Sequence, residues 1–120
     1  RSLTKYRLII DDFGGWDLFQ TLLSALRRVA DRHGSDIATT ASAAMLDRPA
    51  VAGVIIGARN RDHLPRNLAI GALELTAAGR AEICAVLPQG RVPDGDTYTL
   101  ERDRHGRHGQ IIKYNLNAEA

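Results

Sequence analysis

The chain has 120 residues, enough for one small domain with a buried core. An apolar share of 44% and a charged share of 25% exclude wholesale disorder as far as Pro88, and a net charge of +2 supplies no strong field for nucleic acid or anionic lipid. No apolar run has the length of a membrane span, and the single cysteine, Cys84, can form no internal disulfide, which points to a reducing, cytoplasmic setting. Residues 1–15 start with Arg rather than Met and lack the apolar core of a signal peptide. They hold Leu8-Ile9-Ile10, then Asp11-Asp12 and Gly14-Gly15, and read as a loop entering the first helix.

From Trp16 the apolar residues Phe19, Leu22, Leu23, Leu26, Val29 and Ala30 recur at spacings of three and four, while Gln20, Arg27, Arg28 and Asp31 fall off the stripe. The spacing predicts an amphipathic helix that begins at Trp16 in the core and stops at Gly34. Ser35 reads as the N-cap of a second helix over residues 36–46, which Pro49 terminates. Val51-Ala52-Gly53-Val54-Ile55-Ile56 is rich in β-branched residues, as expected of a parallel strand covered on both faces. After the turn Gly57-Ala58-Arg59-Asn60, Asn60 can cap a helix over residues 61–70 that Gly71 ends. Thr76 is the N-cap expected for a further helix that stops by Pro88, with Cys84 facing the core. Beyond Pro88 the composition shifts toward Gly, Pro, Asp, Arg and His, so residues 89–120 read as an irregular tail with two short strands at Tyr98-Thr99-Leu100 and Ile111-Ile112.

One strand cannot make a sheet, and its open edges must pair with something. The chain either borrows partners or is a piece of something larger. The most informative stretch is therefore the strand with the turn and helix start that follow it. A helix N-terminus presents unpaired N–H groups and partial positive charge, and Arg59 and Arg61 add formal charge beside it. A phosphate would meet several donors there at once. On spacing alone, solvated arginines flanking a turn remain the simpler account.

The helix ending in His33-Gly34, the opening Ser35-Asp36-Ile37-Ala38, Arg48-Pro49, the run from Val51 through Arg59, then Leu64, Asn67, Leu68 and Leu75-Thr76 together resemble the C-terminal end of the aldo-keto reductases. The likeness covers residues 16–87. It implies an α/β fold, the C-terminal part of a (β/α)8 TIM barrel, mostly helical within this chain, with residues 51–56 as the eighth strand. Residues 1–88 would be the barrel segment and 89–120 an extension, with the stretch from Gly95-Asp96 to Tyr114-Asn115-Leu116 carried by only some members. The cofactor implied is NADPH or NADH, its adenosine phosphate end on Gly57, Ala58, Arg59 and Asn60, with Arg59 reading a 2′-phosphate. His63 stands where a longer polar or basic side chain reaches the cofactor, and Asn67 where an Asn lies near the adenine. Arg66 occupies a position where Glu is common. The second helix also departs, with Ser42, Ala43 and Ala44 in place of bulky groups, so that either neighbours fill the space or the helix packs loosely.

The family's catalytic Tyr, with Lys, Asp and His, comes from earlier strands, so the resemblance assigns no catalytic residue here. Tyr6 beside Lys5 is a poor substitute, because adjacent residues point to different sides. Phe13, Gly14 and Gly15 suit a loop near a substrate mouth. His105-Gly106-Arg107-His108 reads as a solvated turn, since the glycines oppose a helix that could align two ligands for a metal. Glu101 and Asp103 interleave with Arg102, Arg104 and Arg107, which argues against nucleic acid. The partners expected are the nicotinamide cofactor and either the missing N-terminal barrel portion or a second copy. The alternative is a non-catalytic remnant that assembles through residues 51–56.

Overall fold

The computed structural model describes residues 2–92 and 97–111. The chain divides into two compact units, Gln20–Pro88 and, separately, Arg1–Phe19 with Gln89–Ala120. Six α-helices are present among the described residues: α1 (Ser2–Phe13), α2 (Trp16–Arg32), α3 (Ile37–Leu46), α4 (Leu64–Ala72), α5 (Ala77–Cys84) and α6 (Thr97–Arg102). None is long and apolar enough to cross a membrane.

In the unit Gln20–Pro88, α2 buries the stripe Ala25, Leu26, Val29 and Ala30. It closes as the spacing indicates, at Gly34 with φ +60°. The Gly34 amide donates to the Asp31 carbonyl (3.2 Å) and the Ser35 amide to that of Ala30 (2.9 Å), satisfying carbonyls the helix leaves unpaired. Ser35 is thus part of the α2 stop, and its own carbonyl accepts from Arg27 at 2.9 Å. The N-cap of α3 is Asp36 instead, whose carboxylate accepts from the Thr39 amide (3.0 Å) and hydroxyl (2.9 Å). Thr76 caps α5 as expected, accepting from the Gly79 amide at 3.1 Å.

Leu26, Val29, Ala43, Leu75 and Ile83 form the core of this unit, with Leu22, Leu23, Ile37 and Leu73 packed around them. Ala43 is only 2% exposed, so neighbours have closed over it, while Ser42 and Ala44 stay half-buried. Thr40, wholly buried on the same helix, leaves its hydroxyl without a hydrogen-bond partner, a cost the packing must offset. Cys84 is exposed, contrary to the core position expected. Gly79, Ile83 and Val86 supply the buried face of α5 and its exit, and Cys84 lies about 100° round the helix from Ile83. On the surface, Glu82 accepts from Arg28 (2.6 Å) and from Arg32, tying α5 to α2. The bonds from Arg32 and Arg28 outweigh partial desolvation and hold the Glu82 carboxyl below its usual range. Arg80 joins the Asp47 carboxylate (3.0 Å) at the end of α3 to the Leu75 carbonyl.

Burial by itself would raise the Asp36 carboxyl, but the Thr39 amide and hydroxyl, the Ala38 amide and the Arg66 charge outweigh it and hold the group below its ordinary value. A depressed carboxyl contributes stability that is complete above the unfolded value and is lost as pH falls through the folded one. Asp36→Ala is therefore expected to lower stability near pH 7 by about 0.5–2 kcal/mol, the usual range for a lost cap. The deficit should shrink on acidification below about pH 4, where the wild-type carboxylate also protonates. Urea melts of both proteins at pH 7 and in acid check this, and a deficit independent of pH would show that the charge is not what caps α3.

Residues 51–58 run without helix or ladder, and no strand occurs among the described residues. The side chains have the composition of a strand, but a strand is completed by a neighbour, and among the described residues these find none to pair with. Ile55 is consequently fully exposed.

In the other unit, α1 replaces the loop expected over residues 1–15. Leu3, Tyr6, Ile10 and Phe13 already have helical spacing, and the two glycines end the helix instead of defining a longer loop. Gly14 and Gly15, at φ +145° and +90°, turn the chain while both amides donate to the Ile10 carbonyl. Trp16 is 57% exposed, not core, and stacks obliquely on Phe19 at 5.7 Å. It lies about two and a half turns before Ala25, the first buried residue of the α2 stripe. Tyr98-Thr99-Leu100 lies within helix α6, so the first strand expected in the tail does not form; of the second, Ile111 ends a short 3-10 turn over Gly109–Ile111. Ile112, Gly95-Asp96 and the stretch Tyr114-Asn115-Leu116 lie outside the described residues. His105 is exposed as a solvated turn requires, but His108 is only 7% exposed because its ring packs against Asp12.

Candidate functional site

The turn after residue 56 and the start of α4 belong to the unit Gln20–Pro88, and their geometry is set by three local interactions. Asn60, in extended conformation, accepts through its side chain from the Asp62 amide at 3.1 Å and so caps the 3-10 turn Arg61–His63. That turn feeds directly into α4, where proline near the first position suits a helix start. From the next turn of the helix, the Asn67 amide reaches back and donates to the Gly57 carbonyl at 3.2 Å. The loop is thereby tied to the helix at both ends.

The charged groups divide into two sets. Arg59 and Arg61 are exposed and make no ion pair among the described residues. Asp62, also exposed, offsets part of their charge. Arg66 turns away toward the N-cap of α3, its Nε 3.9 Å from Asp36 Oδ2. It braces α4 against α3, a role the sequence reading missed. The signal was Asp36 itself, three residues before Thr39 at a helix start.

The structure brings Gly57 and Asn67 together and puts Asn60 at the head of the helix. Ala58 is exposed beside them, and His63 is half-buried at the N-cap position of α4 without a side-chain capping bond. Gly57 is unexplained by the chain's own packing. Its φ is not in the left-handed region, and a Cβ added there would meet nothing within 4 Å. A glycine required neither by conformation nor by crowding leaves room for something else to approach the backbone. Asn67 retains its side-chain oxygen and a second N–H beyond the bond to Gly57.

This donor set suits the phosphate end of a nucleotide: two uncommitted guanidinium groups, a helix start and an open glycine. It offers nothing for a metal, and among the described residues no three His, Cys, Asp or Glu side chains are gathered to hold one. In the other unit, Tyr6 is 66% exposed on α1 and Lys5 pairs with Glu101 at 2.7 Å.

The model of the aldo/keto reductase family matches residues 1–87, and the chain belongs to that family. The match extends the likeness to α1, which the motifs from residue 16 onward do not include. No curated protein and no solved structure matches the chain.

Proposed function

We propose that the chain is the C-terminal part of a nicotinamide-dependent aldo-keto reductase, and that its share of the work is to hold the adenosine phosphate end of NADPH. One observation carries the reading: Arg59 and Arg61 stand exposed and without ion pairs among the described residues, on a capped turn whose glycine has open space above it. Bound in its reduced form, the cofactor would give a hydride to a carbonyl; in its oxidised form it would take one from an alcohol. Arg59 would take the 2′-phosphate, Gly57 and Ala58 would let the backbone approach, and Asn60 would hold the helix start in place. His63 and the free polar atoms of Asn67 would flank the adenosine. Arg66 serves this seat through Asp36, and its contact with the adenine is the weakest of the set. The acid–base groups belong to the earlier strands of the barrel. One cysteine and a soluble family fold fit a cytoplasmic protein.

The test is a titration with adenosine 2′,5′-bisphosphate and, in parallel, 5′-AMP, followed through the backbone amides. Shifts concentrated in residues 57–67, with the bisphosphate binding more tightly, are expected. Equal responses to both ligands, or shifts elsewhere, would remove the 2′-phosphate seat while leaving the family assignment intact.

A second reading has its own support. Residues 51–56 carry strand-like side chains and Ile55 fully exposed, without a ladder among the described residues. In this reading the chain is a non-catalytic remnant in which copies pair through that segment. Light scattering coupled to size exclusion is then expected to give a dimer or larger, which Ile55→Lys converts to monomer. A wild-type monomer at all concentrations would end this reading.

A further inference from the structure

The described residues from Gln89 on, beyond the family match, fold back onto α1 within a single compact unit. Several ion pairs attach them. Lys5 Nζ meets Glu101 Oε1 at 2.7 Å. Arg107 reaches Asp12 Oδ1 at 2.9 Å with one amino group and Asp11 Oδ2 at 3.7 Å with the other. His108 Nε2 takes the remaining oxygen of Asp12 and is buried in doing so. Asp12 therefore joins two residues of the returning chain through its two oxygens. Arg7 stands 3.9 Å from Asp11, one helical turn earlier.

The return is pinned at one point by backbone. The Arg91 amide donates to the Phe13 carbonyl at 2.8 Å. Beside it, Gly90 passes so near the Phe13 ring that a Cβ would come to 2.2 Å from it, so a larger residue could cross there only by displacing that ring. Between the pinned end and the charged end lies a cleft of ≈ 710 Å³, with Asp11, Asp12 and Gly15 on one side and Arg91, Leu100 and Arg107 on the other. One wall belongs to α1 and its exit, the other to the returning chain.

We propose that the described chain after residue 88 is a strap, hinged at the Gly90–Phe13 crossing and latched on α1 by the carboxylate of Asp12, and that its release opens this cleft. Among its described residues Val92 is 86% and Tyr98 62% exposed, and Leu100 and Ile111 are only half-buried. Ion pairs between half-exposed groups weaken as salt screens them, whereas a hydrophobic contact does not. The strap is accordingly tuned to ionic strength and to anything that competes for Asp12 or Arg107. The proposal does not depend on the nucleotide seat.

Hydrogen exchange of the full 120-residue chain tests it. In Asp12→Asn, amides of residues 97–111 are expected to exchange roughly tenfold faster, the scale of losing a charge-assisted bond. Amides of Gln20–Pro88 should keep their protection. Glu101→Gln should speed exchange in α6 alone and by less. Raising salt from about 0.05 to about 1 M should also speed exchange of the wild-type strap, but by less than Asp12→Asn does, because salt screens the exposed pairs of Lys5 and Arg107 far more than the buried contact of His108 with Asp12. Unchanged exchange in residues 97–111, in the variant or in wild type at high salt, overturns the latch. So does an equal rise across both units, which would mean that Asp12 supports the fold as a whole.

Discussion

Arg59→Ala is expected to weaken adenosine 2′,5′-bisphosphate binding roughly ten- to hundredfold, the equivalent of about 1.5–3 kcal/mol for hydrogen bonds to a charged group. Binding of 5′-AMP should fall severalfold at most. The reason lies in what the guanidinium faces. Arg59 has no carboxylate to neutralise among the described residues, so its charge is available to a ligand, whereas Arg66 is drawn toward Asp36. In a reductase carrying the whole barrel, the same substitution should weaken NADPH far more than NADH. Equal losses for the two cofactors would show that Arg59 senses general charge and does not read the 2′-phosphate. Isothermal titration with both cofactors decides the matter.

The largest effect on stability is expected from Leu26→Ala. Leu26 is 6% exposed and lies among Val29, Ala43, Leu75 and Ile83. Ala43 is already small and Val29 is backed closely by Gly79, so the gap could be filled only if Leu75, Ile83 or the leucines around them left the positions in which they already pack. A loss of about 2–5 kcal/mol follows from large-to-small precedent. Domains of this kind are stable by roughly 5–15 kcal/mol in total, so the unit Gln20–Pro88 should approach unfolding. Chemical denaturation followed by circular dichroism measures it. A loss below about 1 kcal/mol would mean that the small residues of α3 leave the interface loose enough to collapse.

Much of this was legible before any coordinates. Where a helix boundary depends on one residue's conformation or one side-chain oxygen, as at Gly34, Asn60 and Thr76, the sequence states it plainly. Ser35 misled because two helices meet within three residues and Gly34 needs Ser35 to finish the first before Asp36 can begin the second. Residues 51–56 show the limit of composition. Their side chains specify two covered faces, but a ladder is a property of two segments, and one of them is not among the described residues. Tyr98, Thr99 and Leu100 favour strands by type, yet α6 forms where Lys5 of α1 pairs with Glu101. Contacts between residues nearly a hundred apart leave no local trace. His108 on Asp12 is the clearest case.

At the candidate site, the residue types behind the proposed anion seat, Arg59 and Arg61, stand in the sequence, but the contacts around them do not. Nothing in the sequence says that Arg66 will be drawn to Asp36 instead, because that depends on how α4 packs against α3.

The bond from Asn67 to the Gly57 carbonyl changes how mutagenesis at this position should be interpreted. Because it makes the loop and the second turn of α4 move as one piece, a side chain at 67 governs the pose of residues 57–60 whether or not it ever meets a nucleotide. Diminished affinity on altering Asn67 would report slackened scaffolding as readily as a lost adenine contact. Of the two, only the slackened loop would also appear in the ligand-free protein, as faster motion of the Gly57 amide.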